Sequence, residues 1–402
     1  MKVDNMGVKC RGCESKNLSV ILNLGNMPSA GGFLKSLEDI SDEKTYPLPI
    51  YSCNECSLVQ IINPIDPSVL FKDYAFASST VSPLIKHFED YADWLNTNFH
   101  PKSVMEFGCN DGILLKPLQD LGILSVGVDI SENITAMARE NGLKVETGFF
   151  NEILSQDLKA KYGPFDLVTG SNAFAHNEHP GQILDAAKAC LSADGVLVLE
   201  VMYAGDLIEK LQWDTLYHEH LTFYSLGTLE VLLARYGFTV FDAVKIPMHG
   251  GSLRVAASLS QKRHTESYQQ VKEYETLVKL NAFETWSKFG GEIAKKIAIV
   301  GDTLNALSKT KTIWAYGAAG KATMWLNACN MHYLGAIVDE SPLRAGRYMP
   351  GTHTPIVYPD ALRENPPDYI FITAWNYAEV IKSKESWFEG AWVIPLPDMR
   401  LF

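Results

Sequence analysis

The chain has 402 residues, of which 47% are hydrophobic and 20% charged, a composition typical of a globular protein with two or three domains. Its net charge of −12 argues against a general nucleic-acid-binding surface. The sequence contains no apolar run of about 18 residues and no signal peptide at its start, so we expect no membrane span and a cytoplasmic location.

Two C-x-x-C pairs stand near the N-terminus, Cys10–Cys13 and Cys53–Cys56. Four thiolates in two such pairs suit a closed tetrahedral zinc site with a structural role, whereas a redox site would need one pair only. The 39 residues between the pairs are more than a usual zinc ribbon has. Within them, the loop 26–32 either reaches toward a ligand or is simply solvated. The total of seven cysteines, an odd number, is not typical of a disulfide framework.

A helix is predicted from Ser82 to about Asn98, because Ser and Thr residues precede an apolar periodicity. The stretch before it, residues 70–80, is rich in aromatic residues that either join the core or line a pocket.

The stretch Val104–Gly112 predicts a buried strand, a tight turn and a helix. Gly108 and Gly112 in the turn let the backbone approach a ligand closely. A second buried strand ends in Asp129, seventeen residues after Gly112. An acid at the end of this strand is placed to accept hydrogen bonds from a ribose diol.

The turn itself distinguishes between two cofactors. Dinucleotide folds favour G-x-G-x-x-G, but here Asn110 replaces the middle glycine and Glu106 precedes the turn. Glu106 would repel a pyrophosphate and could accept a hydrogen bond from an ammonium. S-adenosylmethionine has an ammonium and a sulfonium, and the pattern Glu-x-Gly-x-Asn-x-Gly resembles the first motif of class I methyltransferases. The alternative is an ordinary strand-turn-helix of a doubly wound sheet that binds no cofactor.

Helices and strands alternate from residue 143 to 201, as a parallel α/β sheet requires. The fourth strand runs into Asn172 and His176, and polar groups that follow such a strand face the cleft at its carboxyl edge. Taken alone, His176 is more typical of a polar surface residue.

The segment Tyr217-His218-Glu219-His220 follows the fifth strand. It is not H-E-x-x-H, so zinc binding on a helix is not predicted. In an extended segment, Tyr217 and Glu219 would share one face, and His218 and His220 the other. A His beside a Glu can supply a general base, and a His with its ordinary pKa near 6.5 can take a proton at cytoplasmic pH.

A hairpin is predicted next, with His249-Gly-Gly-Ser252-Leu-Arg254 at its turn. Gly-Gly-Ser beside an Arg can hold a phosphate, although a simple hairpin turn explains the pattern equally well.

Two long helices are predicted between Thr265 and Ser308, followed by a second, smaller α/β unit. Its Gly317-Ala-Ala-Gly-Lys321 turn is not a Walker motif, but places free amides and an ammonium at a helix N-terminus, where phosphates bind. Arg344 and Arg347 add local positive charge, or form a solvated face.

Taken in order, these motifs make the whole chain resemble the bacterial nucleotide-sugar C-methyltransferases of deoxysugar pathways, the C-3-methyltransferase type with an N-terminal zinc domain. Tyr-His-Glu-His-Leu is the most specific motif of this resemblance.

The resemblance implies S-adenosylmethionine and structural Zn²⁺ as cofactors and a nucleotide-linked keto-deoxysugar as substrate. His220 would be the base, tuned by Glu219, and the resulting enolate would attack the sulfonium methyl. The oxyanion would be stabilised by His176 and a tyrosine hydroxyl, for which Tyr217 and Tyr74 are candidates. Phe76 is a near alternative to Tyr74. Arg254 and Lys321, with Tyr74, Ser252, Arg344 and Arg347, would bind the substrate.

The predicted architecture is α/β: a zinc-binding domain (1–68), a class I methyltransferase Rossmann-like domain (69–262) and a helical linker with a smaller α/β domain (263–402). Neither a nucleic acid, a membrane nor a protein partner is expected. The alternatives are an O- or N-methyltransferase of a sugar or small metabolite, a nicotinamide-dependent sugar-nucleotide oxidoreductase, and a non-enzymatic zinc-containing binding protein.

Overall fold

A computed structural model describes residues 8–66, 70 and 77–401. Tyr74 and Phe76, the two positions considered for one substrate-facing role, lie outside these residues. The described chain forms three sheets of four, seven and six strands. None of its helices combines the length and apolar character that crossing a membrane requires.

The smallest sheet belongs to the N-terminal region but borrows a strand from farther along the chain. Its antiparallel order is β1-β2-β3-β9. The strands are β1 (Leu18–Pro28), β2 (Thr45–Cys53), β3 (Val59–Ile61) and β9 (Thr222–Phe223). Because β9 begins two residues after His220, the chain directly after the Tyr217–His220 segment is held in the sheet of the N-terminal region. This link was not predicted from the sequence.

The central sheet has the order β10-β11-β8-β7-β4-β5-β6. It is parallel except for β11, which runs antiparallel to both of its neighbours, so that the predicted hairpin closes one edge. This topology confirms the class I methyltransferase fold. The strands are β4 (Ser103–Phe107), β5 (Leu124–Asp129), β6 (Lys144–Thr147), β7 (Phe165–Ser171), β8 (Leu191–Met202), β10 (Thr239–Ile246) and β11 (Ser252–Ser258).

Helices accompany the strands of this sheet, and local chemistry explains where some of them begin. They are α1 (Ser82–Phe99), α2 (Leu115–Asp120), α3 (Glu132–Glu140), α4 (Glu152–Tyr162), α5 (Pro180–Cys190), α6 (Ala204–Glu209) and α7 (Leu226–Arg235). Asn151 caps α4 by accepting the amide of Leu154, and Ser225 caps α7 by accepting the amide of Thr228.

The C-terminal region begins with the two predicted long helices, α8 (Glu266–Leu277) and α9 (Phe283–Ser308). Helix α9 packs on β1 of the N-terminal sheet. This close packing requires glycine at position 290, because a Cβ there would collide with the Ile21 carbonyl. The sheet order is β14-β13-β12-β15-β16-β17, parallel except at β17. The elements are β12 (Ile313–Tyr316), α10 (Gly320–Ala328), β13 (Ile337–Val338), β14 (Ile356–Val357), α11 (Pro359–Glu364), β15 (Tyr369–Ile372), α12 (Ala378–Lys384), β16 (Ala391–Ile394) and β17 (Arg400–Leu401).

Arg254 and Ser252 lie on β11, inside the sheet rather than at an open turn. The Arg254 guanidinium donates to one oxygen of Glu200 at 2.8 and 3.0 Å and packs 3.7 Å from the Tyr91 ring centroid. The other Glu200 oxygen lies 2.7 Å from His87 Nε2. The buried Ser252 hydroxyl donates to the Met248 carbonyl at 3.2 Å. The polar groups of both residues are buried and already bonded, which argues against their predicted phosphate role.

The Arg254 pair generates a stability prediction. Arg254→Met leaves the Glu200 carboxylate buried with one partner fewer, so we expect a loss of about 3–5 kcal/mol in the free energy of unfolding, measured with urea. Lys116→Met, which removes one partner of the exposed Lys116–Asp120 pair, should change it little. Unchanged stability together with weaker nucleotide binding in Arg254→Met would restore the discarded substrate role.

Candidate active site and zinc site

The four predicted zinc ligands come together in the structure. The sulfur atoms of Cys10, Cys13, Cys53 and Cys56 all lie within 4.8 Å of one another. The Gln60 side-chain amide donates to Cys10 Sγ at 3.1 Å, which supports a thiolate at that position. Four converging sulfurs fit a closed tetrahedral Zn²⁺ site, which has no open position for chemistry.

A cleft of about 790 Å³ opens at the carboxyl edge of the central sheet. This volume is within the usual range for a small-molecule site. Residues from all three regions line it: Gly31 and Phe33 from the N-terminal region, the predicted motifs of the central domain, and Lys321 and Tyr377 from the C-terminal domain. The loop 26–32 therefore reaches the cleft through Gly31, as the first of the two interpretations predicted.

The turn after β4 has the predicted form. Gly108 has a φ of +65°, and a Cβ there would collide with the side chain of Ala173. The amides of Asn110 and Ser131 donate to the two oxygens of Asp129 at 3.0 and 2.9 Å. Burial raises the pKa of Asp129, and these amide bonds counteract the rise. Gly108, Asn110 and Asp129 all line the cleft.

Two predicted cofactor residues lie beside this turn rather than on the cleft lining. Glu106 is only 2% exposed, and burial, then Asp129 and Asp111, raises its carboxyl pKa well above its usual value. Its Oε2 has no hydrogen-bond partner among the described residues, so the ammonium contact stays a prediction. Gly112 is required for packing, because a Cβ there would collide with Leu143. Gly112 is not among the described residues that line the cleft, and its ligand contact stays a prediction.

The rest of this half of the cleft suits S-adenosylmethionine. Ile130, Phe149 and Phe150 form an apolar wall next to Asp129. The buried Ser171 hydroxyl lines the cleft and has no hydrogen-bond partner among the described residues. Asn172 also lines the cleft, and its backbone amide donates to the Glu200 carbonyl at 2.7 Å. An apolar wall, a carboxylate and a spare hydroxyl fit an adenosine group.

The Tyr217–His220 segment is a turn, not the extended chain considered above. The His220 amide donates to the Tyr217 carbonyl at 2.9 Å, so the side chains do not alternate between two faces. Tyr217, Glu219 and His220 all line the cleft. His218 is 1% exposed, and its Nε2 lies 3.3 Å from the Pro47 carbonyl of the N-terminal region. The prediction that His218 and His220 point the same way is wrong.

The ring of His220 is held in one tautomer by the backbone. Its Nδ1 lies 2.7 Å from the Thr215 carbonyl, which can only accept, so Nδ1 has the proton and Nε2 the lone pair. Burial, then His176, lowers the pKa of His220 well below 6.5, and burial lowers that of His176 to about 4. The two ring centroids are 5.0 Å apart. Both rings are therefore neutral at pH 7, and His220 does not have the ordinary pKa assumed from the sequence.

Glu219 faces the N-terminal loop. A Cβ on Gly31 would lie 2.8 Å from Glu219 Oε1, so the loop packs directly against this carboxyl group. Burial raises the pKa of Glu219 to about 7, and a hydrogen bond from the Gly31 backbone opposes the rise. Thr215 rather than Glu219 orients His220. Glu219 is thus a second group in the cleft that can exchange a proton near neutral pH.

The C-terminal domain supplies the cations of the cleft. Lys321 and Arg344 line it, whereas Arg347 is not among the described residues that do. Lys321 Nζ is buried without a hydrogen-bond partner among the described residues, 4.7 Å from the Trp375 ring centroid. Arg344 pairs with Asp339 at 3.0 Å. His249 also lines the cleft, and burial lowers its pKa to about 4.

His249 was not predicted as a site residue, although the sequence contains a signal for it. The turn of a hairpin whose second strand pairs with the end of β8 must lie at the carboxyl edge of the sheet. Asp339, which also lines the cleft, was not predicted either. The amides of Ala318 and Ser341 donate to its two oxygens at 2.7 and 2.8 Å, repeating the arrangement at Asp129. The signal was the second strand-turn-helix, from β12 to α10, because the strand that follows it ends just before Asp339, as β5 ends in Asp129.

Three family models match successive parts of the chain: a zinc binding domain at residues 10–71, a methyltransferase domain at 84–243 and a C-methyltransferase C-terminal domain at 247–397. The C-methyltransferase NovU of Streptomyces niveus is 28% identical over 404 residues, which cover 98% of this chain and 96% of NovU. The chain is an S-adenosylmethionine-dependent C-methyltransferase. Its cofactor assignment is confirmed, and its N-terminal region is a zinc-binding domain with a four-cysteine cluster.

Some other proteins match only part of this methyltransferase. A ubiquinone biosynthesis O-methyltransferase of Haemophilus ducreyi is 28% identical over 110 residues, 25% of this chain and 45% of that protein. Among solved structures, the PH0226 protein of Pyrococcus horikoshii covers 48% of this chain and 96% of its own, at 17% identity and a TM-score of 0.36.

We expect about one zinc ion per chain, because the four sulfurs form a single closed site. Elemental analysis of the purified methyltransferase measures it. Cys53→Ser should lower the zinc content and destabilise the protein, while Cys190→Ser, at a buried cysteine outside the cluster, should leave the zinc content unchanged. A metal-free protein with four freely titratable thiols would contradict the zinc assignment.

Asp129→Ala should weaken S-adenosylmethionine binding by about 1–3 kcal/mol, because ribose hydroxyls would lose a buried acceptor. Calorimetry measures the affinity. Asp339→Ala, at the matching acid of the C-terminal domain, is the control and should leave that affinity unchanged. Equal affinity in Asp129→Ala and the wild type would remove Asp129 from the cofactor site.

Proposed function

We propose that this methyltransferase transfers the methyl group to a carbon next to the ketone of a nucleotide-linked keto-deoxysugar, C-3 of a 4-keto sugar, giving a branched-chain sugar. The observation that supports it best is His220, held as a neutral ring with Nε2 available in a cleft that also contains cationic side chains. Carbon methylation next to a ketone needs a base that removes a carbon-bound proton, and the family resemblance points to the same chemistry.

In the proposed reaction, His220 Nε2 removes the proton from the sugar carbon. The hydrogen bond from Nδ1 to Thr215 fixes the ring and stabilises the positive charge that the ring gains. Burial weakens His220 as a base, so the ketone oxygen must be stabilised at the same time. When bound, S-adenosylmethionine supplies the electrophilic methyl group.

Two neighbours of His220 are placed to stabilise the developing enolate oxygen. The His176 and Tyr217 rings lie 5.0 and 4.2 Å from the His220 ring, centroid to centroid. A neutral imidazole and a tyrosine hydroxyl each contain one hydrogen-bond donor, the type of group that stabilises an enolate oxygen. Tyr74 stays a candidate for the same role outside the described residues.

The nucleotide part of the substrate would bind toward the C-terminal domain. Lys321 provides an ammonium in the first turn of α10, where free amides and the helix dipole also favour an anion. Arg344 lines the same side of the cleft. We place the reaction in the cytoplasm, because the thiolates of the zinc site persist in a reducing compartment.

The substrate is tested directly by incubating the protein with labelled methyl donor and a panel of nucleotide-linked 4-keto sugars. Mass spectrometry and NMR then locate the label. The proposal predicts label on a carbon next to the ketone. Label on oxygen or nitrogen would instead support the O- or N-methyltransferase alternative.

His220→Asn should reduce turnover roughly 10²–10⁴-fold, the usual contribution of a positioned general base, with little change in donor affinity. Exchange of the acidic sugar proton with deuterated solvent should be lost as well. His218→Asn is the matched control, since the turn directs His218 away from the cleft, and should retain turnover in the folded protein.

The pH dependence separates His220 from Glu219 as the base. A base must be unprotonated, and the pKa of His220 lies well below 6.5, so turnover should stay level through pH 7 and fall only on stronger acidification. If Glu219 were the base, turnover would rise with pH around its pKa of about 7, and Glu219→Gln would abolish it. A rise in turnover around pH 7, loss of turnover in Glu219→Gln and an active His220→Asn would together show that Glu219 is the base.

A further inference from the structure

Asp214 connects the C-terminal domain to the turn that precedes the proposed base. It lies in the short 3-10 turn Trp213–Thr215 and is fully buried. Its Oδ2 accepts two indole N–H groups, from Trp325 at 2.9 Å and from Trp375 at 2.8 Å. Both tryptophans belong to the C-terminal domain. One carboxylate oxygen of Asp214 therefore connects that domain to the turn Trp213–Thr215, more than 100 residues earlier in the sequence.

The second oxygen of Asp214 is also buried and has no hydrogen-bond partner among the described residues. Burial raises the pKa of Asp214, and the ammonium of Lys321, which packs against the face of Trp375, opposes that rise. Burial lowers the pKa of Lys321, Asp214 raises it, and Lys210, just after α6, lowers it. Lys321 in turn contributes to the lowered pKa values of His220 and His249, which line the same cleft. Asp214 is therefore the carboxylate that favours a charged Lys321.

The same residue is adjacent to the group that orients His220. Thr215, the next residue, provides the carbonyl that accepts His220 Nδ1 at 2.7 Å. Trp213, the preceding residue, packs edge-on against Trp325, with ring centroids 4.7 Å apart. Movement of the C-terminal domain at Trp325 or Trp375 would thus displace the peptide that sets the His220 tautomer.

We propose that Asp214 is a positioning residue that aligns the anion-binding side of the cleft with the proton-transfer side. It does so by holding Lys321, the two indoles and the Thr215 peptide in one arrangement. This inference rests on the proposed function, because it concerns how an anionic sugar-linked substrate is presented to His220. Asp214 does not touch the reacting atoms.

Asp214→Asn tests the charge, since an amide oxygen can still accept both indoles while the negative charge is lost. Without that charge Lys321 loses its proton at a lower pH. We expect KM for the nucleotide sugar to rise about tenfold and to rise further with increasing pH, because Lys321 loses the positive charge that binds the anion, with unchanged affinity for the methyl donor. Glu275→Gln, at a buried carboxylate bonded to the Leu226 and Gly227 amides, is the matched control and should change neither KM nor its pH dependence.

Trp375→Phe and Trp325→Phe test the alignment, because they remove one indole N–H each and keep an aromatic ring. They should lower kcat about tenfold, more than they change KM. If Asp214→Asn and both Trp variants behave like Glu275→Gln, with only a lower unfolding midpoint, Asp214 is merely structural and the inference is wrong.

Two measurements without substrate keep this test independent of the proposed function. Competitive labelling of amines, read by mass spectrometry, gives the pH at which Lys321 loses its proton, which should be lower in Asp214→Asn than in the wild type. Nitrogen NMR of the imidazole rings gives the His220 tautomer, which should become mixed in the Trp variants. If the wild type methylates no nucleotide keto-sugar, the proposed function fails, and these measurements still decide on Asp214. Unchanged Lys321 titration and His220 tautomer would overturn the role of Asp214 even in an active enzyme.

Discussion

The anchoring of residues 213–223 is the constraint on which the cleft depends. This short segment has no core of its own, and it is held by partners from all three regions. The two indoles of the C-terminal domain bind Asp214 at its start. The Leu221 amide donates to the Ala175 carbonyl, and its own carbonyl accepts the Ile61 amide of the zinc domain. Strand β9 at its end then joins the zinc-domain sheet. The segment that contains three cleft residues of the motif is therefore anchored by neighbours that are remote in sequence.

Features that depend on adjacent residues could be predicted from the sequence. The cysteine spacing gave the zinc cluster, and the strand-turn-helix pattern ending at Asp129 gave the cofactor half of the cleft. The alternation of elements predicted the class I fold with its edge hairpin. Each of these follows from local periodicity, turn chemistry or ligand spacing, which are short-range properties.

The errors concern interactions between remote residues. Nothing near Arg254 in the sequence indicates that Glu200 and Tyr91 enclose its guanidinium. Whether Tyr217–His220 is extended or turned depends on where β9 is held, and therefore on a sheet formed by residues 18–61. The pKa of His220 depends on burial by the closed cleft. Such effects appear only once the tertiary structure is known.

The shared sheet of the zinc domain has a consequence for engineering. Because β9 completes that sheet directly after the motif, excising the N-terminal domain would leave Thr222 and Phe223 as an unpaired edge and remove the loop against Glu219. A chimera made to bind a different substrate would therefore have to retain the zinc domain and exchange the C-terminal domain alone. It would also have to retain indoles that match Asp214, so the compatible donors are those with tryptophan at both positions.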